Sequence, residues 1–169
     1  MERDCPVTIR FATPYDIPAI TSLDRASPTA AHWTEAQYRQ AVQPNVGDPE
    51  RLVLIAEASE ATATAAKEAG LGFPILGFLV ARHLAPEWEL ENIVVAPSVR
   101  RKGLGRRLLG ALLARVQETQ SEFVFLEVRE SNTAARRLYE SAGFRQTGRR
   151  RAYYANPAED AILYRWSPV

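Results

Sequence analysis

The fold is decided by residues 93–109, which read IVVAPSVRRKGLGRRLL. The stretch opens as an apolar, β-branched run typical of a buried strand and closes as the start of an amphipathic helix. Between them lie two glycines and five basic residues: Arg100, Arg101, Lys102, Gly103, Gly105, Arg106 and Arg107. A helix that begins at such a loop presents unpaired N–H groups and the positive end of its dipole to an anion. The stretch therefore predicts a phosphate-binding loop, although a solvated basic turn would have the same composition.

The spacing of this loop narrows the kind of phosphate ligand. No Gly-Lys-Ser/Thr follows at the spacing of a P-loop. A dinucleotide-binding turn needs a third glycine or alanine where Leu108 stands. The pattern that fits is Arg-x-x-Gly-x-Gly, formed by Arg100, Gly103 and Gly105. It resembles the acyl-CoA pyrophosphate loop of the GCN5-related N-acetyltransferases, the GNAT superfamily.

Composition limits the class of protein. With 169 residues, 46% of them hydrophobic and 24% charged, we expect one globular domain over residues 1–169. A net charge of +1 argues against a general nucleic-acid binder. No apolar run approaches a membrane span, and the first residues are too polar for a signal peptide. A lone Cys5 with His32 and His83 gives no metal-ligand spacing. We expect a cytoplasmic protein with no metal, no membrane and no nucleic-acid partner.

Apolar periodicity and capping signals predict eleven elements in the order β-α-α-β-β-β-α-β-α-β-β. The predicted strands cover residues 7–11, 52–56, 75–81, 88–95, 123–128, 144–147 and 161–166. Helices are predicted after Thr13 and Thr34, across residues 108–116, and over residues 132–141. A poorly ordered connection is expected at residues 59–72. The strand-helix-strand unit in the middle implies a parallel pair, so the fold class is α/β, with a mixed sheet and helices on both faces.

The second half of the chain makes the resemblance more specific. It carries LEVRESN at residues 126–132, LYESAGF at 138–144 and RRAYY at 150–154. These motifs are similar to those of the bacterial ribosomal-protein-alanine N-acetyltransferases, the RimI-type branch of the GNAT superfamily. The segment from Trp33 to Tyr38 resembles that branch's Trp-Ser-Glu-x-x-Phe segment. The likeness is good over residues 88–161 and loose over the first eighty.

This resemblance implies the GNAT fold, a mostly antiparallel sheet with a splayed central parallel pair. It also implies acetyl-CoA as co-substrate and direct transfer of the acetyl group to an N-terminal α-amine. The implied partner is an alanine-starting protein of the small ribosomal subunit, and the implied oligomeric state is a monomer or weak dimer. Positions implied to bind acetyl-CoA are Ile93, Val94, Val95, Arg100, Arg101, Lys102, Gly103, Leu104, Gly105, Arg106 and Asn132. Positions implied near the acceptor are Trp33, Tyr38, Glu91 and Tyr153.

Two carboxylates are candidates for the general base. Glu127 lies between Leu126 and Val128 in an apolar strand, where desolvation strengthens a carboxylate as a base. The family's base maps onto this position. The alternative interpretation is a structural acid paired with an arginine such as Arg129. Glu91 is the rival, because other branches of the superfamily place their base on that strand; it would otherwise orient the substrate or lie at a solvated strand edge.

Tyr139 is the candidate general acid, since its phenol is able to give a proton to a departing thiolate. The family's general acid maps onto it, and a core aromatic residue is the alternative. Asn132 is either a local helix cap or a donor to pantetheine.

Three other functions fit parts of the sequence. The same chemistry on a lysine side chain or a small amine shares the fold and the acyl-CoA loop. A non-catalytic acyl-CoA-binding module would not need Glu127 and Tyr139. A nucleic-acid-binding protein would use the arginines around residues 100–107 and 149–151, but a base-stacking motif is missing.

Overall fold

The computed structural model describes residues 7–58 and 75–168. The strands are β1 (Val7–Phe11), β2 (Arg51–Ala58), β3 (Ile75–Leu84), β4 (Glu87–Val95), β5 (Phe123–Arg129), β6 (Arg145–Ala155) and β7 (Ala158–Trp166). The α-helices are α1 (Ile17–Arg25), α2 (Glu35–Val42), α3 (Leu104–Glu118) and α4 (Thr133–Ser141). Short 3-10 turns cover Pro14–Asp16 and Pro97–Val99. The predicted order of elements is confirmed; the expectation for residues 59–72 and the position of Cys5 lie outside the described residues.

The strands form a seven-stranded sheet in the order β1-β2-β3-β4-β5-β7-β6. All neighbouring pairs are antiparallel except β4 and β5, which are parallel and connected through α3. A crossover helix is the usual way to join parallel neighbours. The predicted mixed sheet with one central parallel pair is therefore confirmed.

Helices cover both faces of the sheet. Consecutive residues of a strand point to opposite faces, and Leu79 and Val80 of β3 belong to two different core clusters. The Leu79 cluster packs under α3 and α4, whereas the Val80 cluster packs under α1 and α2. The predicted helices on both faces are confirmed.

The predicted helix starts are also correct. Thr34 and Gln37 form the capping box: the Thr34 hydroxyl accepts from the Gln37 N–H at 3.2 Å, and the Gln37 side chain accepts from the Thr34 N–H at 2.8 Å. The Trp33 and Tyr38 rings lie 5.4 Å apart, as a hydrophobic staple requires. Thr13 caps the 3-10 turn that leads into α1. Gly143 has φ 92° after α4, the left-handed position expected of a helix end.

The last hairpin is longer than the sequence predicts. β6 begins at Arg145 rather than Phe144 and extends to Ala155, and β7 begins at Ala158 rather than Ala161. β6 is an edge strand of the sheet, and most of its side chains are exposed. Because neither face of this strand is deeply buried, its sequence lacks the apolar alternation on which the prediction depended.

Candidate active site

The parallel strands separate to form a cleft. β4 and β5 are paired only between Glu87–Glu89 and Phe123–Phe125, although β4 continues to Val95 and β5 to Arg129. Beyond Glu89, β4 keeps β3 as its partner on one side. An open strand edge is able to pair with an extended ligand. The predicted splay is confirmed, and the open edge contains the three residues expected to contact pantetheine: Ile93, Val94 and Val95.

A bulge in β4 lies beside this cleft. Leu90 is opposite Ala81 and Asn92 is opposite Val80, so Glu91 is the extra residue. The bulge turns the Asn92 side chain toward the α1–α2 face of the sheet. There its amide donates to Asp24 Oδ1 at 3.1 Å and to the Tyr38 hydroxyl at 3.0 Å.

Tyr38 occupies a different place from the one expected of an acceptor contact. Its side chain is fully buried, packs edge-on against Phe78, and has its hydroxyl bound by Asn92. Burial and the charge of Asp24 raise the pKa of Tyr38. The half-buried Trp33 covers Tyr38 and is the outer member of the pair. Tyr38 therefore supports this wall of the site from within the core.

The glycines of the basic loop have two different roles. Gly103 caps α3 in the left-handed conformation, at φ 76°, and a Cβ there would meet no atom within 4 Å. Arg101 also has a positive φ, at 62°. Gly105 is helical instead, and a Cβ on it would lie 2.9 Å from Leu138 Cδ2 of α4. Gly105 therefore lets two helices approach each other, and Gly103 shapes the loop; the contact of either glycine with a pyrophosphate stays a prediction.

The basic side chains around the loop also divide into two groups. Arg100 Nε donates to the Val95 carbonyl at 3.0 Å, and Arg106 donates to the Ser141 carbonyl at 3.2 Å. These two arginines hold the loop against β4 and α4. Arg101 and Lys102 are exposed at the start of α3. The loop therefore combines an open helix start with mobile positive charge, which suits a pyrophosphate group.

Glu127 lies on β5, two residues beyond the last residue paired with β4. It is half-buried rather than sealed in apolar surroundings, because Leu126 and Val128 point to the opposite face of the strand. Its carboxylate forms an ion pair with Arg150, whose Nε lies 2.9 Å from Glu127 Oε1. Arg129, the partner suggested by the sequence, instead lies 3.6 Å from Glu159.

Two tyrosines of β6 complete the surroundings of Glu127. Hydrogen bonding to Glu127 and the charge of that carboxylate raise the pKa of Tyr153, which is half exposed. Burial and the Glu127 charge raise the pKa of Tyr154, whose ring lies under the Arg129 guanidinium at 4.2 Å. The two rings meet edge-on, with centroids 5.1 Å apart. Both phenols keep their protons at neutral pH and are available as donors.

Tyr139 of α4 packs in the core with 6% of its surface exposed, between the rings of Phe144 and Tyr164. Burial raises the pKa of Tyr139, and Tyr154 adds to the effect. Tyr139 therefore stays protonated at neutral pH, and its role as the general acid stays a prediction. Asn132 caps α4 by accepting from the Ala135 N–H at 3.2 Å, which confirms the local-cap interpretation and leaves the pantetheine contact a prediction.

Glu91 belongs to an ion-pair network rather than to a solvated strand edge. Arg51 donates to both of its oxygens, at 2.8 and 3.1 Å. Arg82 bridges Glu91 at 3.6 Å and Glu89 at 2.5 Å. The Arg51 guanidinium also lies 5.6 Å from the centre of the Trp33 ring. With both oxygens bound by Arg51, Glu91 is suited to fixing the shape and charge of this wall rather than to accepting a proton.

Sequence reasoning missed the partners of both acids. Arg150 and Arg51 lie 23 and 40 residues from Glu127 and Glu91, on different strands. These pairs depend on how strands far apart in the sequence align in the sheet, and the residues next to each acid do not show that alignment. The RRAYY motif at residues 150–154 was the available signal, because it concentrates a cation and two phenols on one strand.

Two kinds of feature are missing from residues 7–58 and 75–168. No helix in these ranges is long and apolar enough to cross a membrane. The same residues contain no group of three or more His, Cys, Asp or Glu side chains able to hold a metal ion.

Comparisons with known proteins show which proteins this chain is similar to. Residues 18–144 match the model of the acetyltransferase (GNAT) family. Two curated relatives are both called [ribosomal protein bS18]-alanine N-acetyltransferase. The Haemophilus ducreyi protein is 39% identical over 92 residues, which cover 53% of this chain and 63% of that protein. The Escherichia coli K12 protein is 42% identical over 88 residues, which cover 51% of this chain and 60% of that protein.

A solved structure extends the likeness over nearly the whole length. The crystal structure of the ribosomal-protein-S18-alanine N-acetyltransferase from Escherichia coli superposes with a TM-score of 0.75. It is 28% identical, and the alignment covers 96% of this chain and 94% of that one. The sequence matches span less than two thirds of the curated relatives, so the structural match is the broader of the two.

Proposed function

The chain belongs to the GNAT family of acetyltransferases, and we propose that it transfers an acetyl group from acetyl-CoA to the N-terminal α-amine of a protein. The observation that carries this proposal is the cleft where β4 and β5 separate. One side offers an open strand edge leading to the loop of Gly103, and the other offers Glu127 beside Tyr153. A donor site and a proton acceptor therefore line one cleft.

The loop and the strand edge fit acetyl-CoA, which supplies the activated acetyl group. Gly103 opens the start of α3, and Arg101 and Lys102 add exposed positive charge for a pyrophosphate. Arg100 and Arg106 keep the loop in place through backbone carbonyls. The edge at residues 93–95 offers backbone groups to the amides of the pantetheine arm.

Glu127 is the proposed general base. An acceptor α-amine has a pKa near 8, so a carboxylate, acting directly or through water, is enough to take its proton at neutral pH. The acceptor ammonium first gives one proton to Glu127, and the neutral nitrogen then bonds to the acetyl carbon as the carbon–sulfur bond breaks. Tyr139, which burial keeps protonated, donates to the sulfur that leaves. Solvent takes the second proton of the nitrogen and the proton on Glu127, and returns one proton to Tyr139.

The proposed acceptor is a protein whose first residue is alanine or similarly small, and a small-subunit ribosomal protein is the partner we favour. The names of the curated relatives support this choice. Such a substrate would place the reaction in the cytoplasm. Arg51, which binds Glu91, lies over the Trp33 ring, and Tyr153 lies beside Glu127. These two aromatic side chains are the surfaces that we propose to contact the first residue of the acceptor.

A panel of short peptides tests the proposal. Each peptide carries a different N-terminal residue and is incubated with the protein and acetyl-CoA, and the product is measured by mass spectrometry. We expect the fastest acetylation of peptides that begin with alanine or serine. Acetylation confined to small non-peptide amines would contradict the proposal. Failure of acetyl-CoA to raise the melting temperature would contradict acyl-CoA binding itself, because a ligand of the native state stabilises it by mass action.

A further inference from the structure

The carboxylate of Glu127 already holds a cation that belongs to the chain itself. Arg150 Nε lies 2.9 Å from Glu127 Oε1, and the Arg150 guanidinium lies 5.5 Å from the centre of the Tyr153 ring. Tyr153 lies close enough to the same carboxylate for Glu127 to raise the pKa of the Tyr153 phenol. A small cation site is thus formed by Glu127 and Tyr153, and the cation in it is the side chain of Arg150. We call these three residues the Glu127 cation site.

The backbone of β6 is shaped to bring two of these residues to Glu127. The pairing of β6 with β7 is irregular between Arg150 and Tyr154. Within this bulge Ala152 has φ 48°, a left-handed conformation that is uncommon for alanine. The Ala152 N–H is held at 2.8 Å by Asp160 Oδ1. A bulge re-aims side chains next to it, so Arg150 and Tyr153 both reach the same carboxylate.

The chemistry of the proposed reaction conflicts with a permanent Arg150–Glu127 pair. Glu127 must approach the ammonium of the acceptor and take its proton. A guanidinium does not deprotonate in proteins, so Arg150, which binds Glu127 Oε1, offers that carboxylate no proton-transfer partner. A single carboxylate balances one positive charge, so Arg150 and the acceptor ammonium compete for it.

We propose that Arg150 is a placeholder cation that the acceptor ammonium displaces, and that it sets how strongly the enzyme selects a charged amine. This inference rests on the proposed function. Displacement is easy, because 56% of the Arg150 side chain is exposed and the guanidinium is able to move into solvent. Exposed ion pairs change an equilibrium constant by at most about fivefold. Arg150 therefore tunes acceptor affinity without closing the site.

Steady-state kinetics with an alanine-starting peptide test this role. Arg150→Gln removes the competing charge, and we expect the KM for the peptide to fall by about two- to fivefold, with the change larger in KM than in kcat. Arg150→Lys restores a cation and should return KM toward the wild-type value. Arg149→Gln is the matched control, because Arg149 pairs with Glu130 and Asp160 instead of Glu127.

The outcomes separate this inference from the proposed function. An unchanged or higher KM for Arg150→Gln, with normal folding by circular dichroism, would overturn the placeholder role while acetylation of the peptide by the wild type still held. A fall in KM of the same size for Arg149→Gln would also overturn it, because general charge would then be the cause. If the wild type acetylates no peptide N-terminus, the proposed function itself fails, whatever the variants do.

Discussion

At the scale of single residues, the site depends on which face of a strand each acid occupies. Glu127 and its apolar neighbours Leu126 and Val128 alternate on β5, so the carboxylate lies on the face opposite the α3 core. The sequence predicted correctly that Glu127 lies in a strand, and its role as the general base stays a prediction. It did not predict the ionic partner Arg150, because that contact depends on the register of β6 against β7 and of β7 against β5.

Glu127→Gln should lower kcat/KM by about 10²- to 10⁴-fold, the scale expected for loss of a general base. Glu91→Gln should lower it less, because Arg51 already binds both Glu91 oxygens. Its main effect should be on folding: about 1.5–3 kcal/mol less free energy of unfolding, from the loss of charged hydrogen bonds. Steady-state assays and urea titrations of both variants check this, and a larger kinetic loss for Glu91→Gln would move the base to β4.

Tyr139→Phe should reduce turnover by about 10²-fold while acetyl-CoA affinity stays nearly intact. The ring remains, so its contacts with Phe144 and Tyr164 are preserved and only the hydroxyl is lost. Turnover is measured at saturating substrates, and affinity by calorimetry. Unchanged turnover would leave Tyr139 as a core residue only.

At the scale of elements, the start of α3 is the proposed binding site for the pyrophosphate of acetyl-CoA. Gly103 has φ 76°, a conformation that costs a β-branched residue about 1–3 kcal/mol. Gly103→Val should therefore distort the loop and raise the Kd of acetyl-CoA by about tenfold. Gly110→Ala is the control, because Gly110 is an exposed position within α3 with no atom near its would-be Cβ. It should leave Kd unchanged, and equal affinity for both variants by calorimetry would contradict the loop assignment.

The entry to α1 predicts a pH dependence of stability. Burial alone would raise the pKa of Asp16, but hydrogen bonds from Arg10 and Thr13 outweigh it and lower that pKa. A lowered pKa in the folded state stabilises the protein above the unfolded value, about 3.9. This stability is lost as the pH falls through the folded pKa.

Asp16→Asn should therefore cost about 1.5–3 kcal/mol of unfolding free energy at pH 7. The difference from the wild type should shrink below about pH 4, where Asp16 becomes protonated. Urea titrations at several pH values measure it. A difference that stays constant down to pH 2 would exclude the Arg10–Asp16 pair as its source.

Element prediction worked where local chemistry decided the outcome. The capping box at Thr34 and Gln37 and the apolar face of α3 are encoded within a few residues. The prediction of elements failed where contacts with residues distant in the sequence decided the length of an element. β6 is an exposed edge strand, so its length depends on its pairing with β7 and not on an apolar pattern. The packing of Gly105 against Leu138 was likewise not visible in the sequence, because the two residues lie on different helices.

At the scale of the whole molecule, the order of the elements was predictable from the sequence. The contacts that form when these elements assemble into the sheet were only partly predictable. A strand-helix-strand unit implied the parallel pair of β4 and β5, and the family resemblance implied that the pair separates. The ion pairs on the two sides of the cleft join residues on non-adjacent strands: Arg51 with Glu91 on the β4 side, and Arg150 with Glu127 on the β5 side. Such pairs appear only when all the strands are in register. This explains why the candidate acids were found from sequence while their partners were not.

The most direct test of the account is the site of acetylation on one peptide. The peptide begins with alanine, contains one internal lysine, and is incubated with the protein and acetyl-CoA before its product is mapped by fragmentation mass spectrometry. The account predicts acetyl on the α-amine, and no product from the same peptide with a formyl group on its N-terminus. Acetyl on the lysine side chain, formed equally well from the blocked peptide, would contradict it.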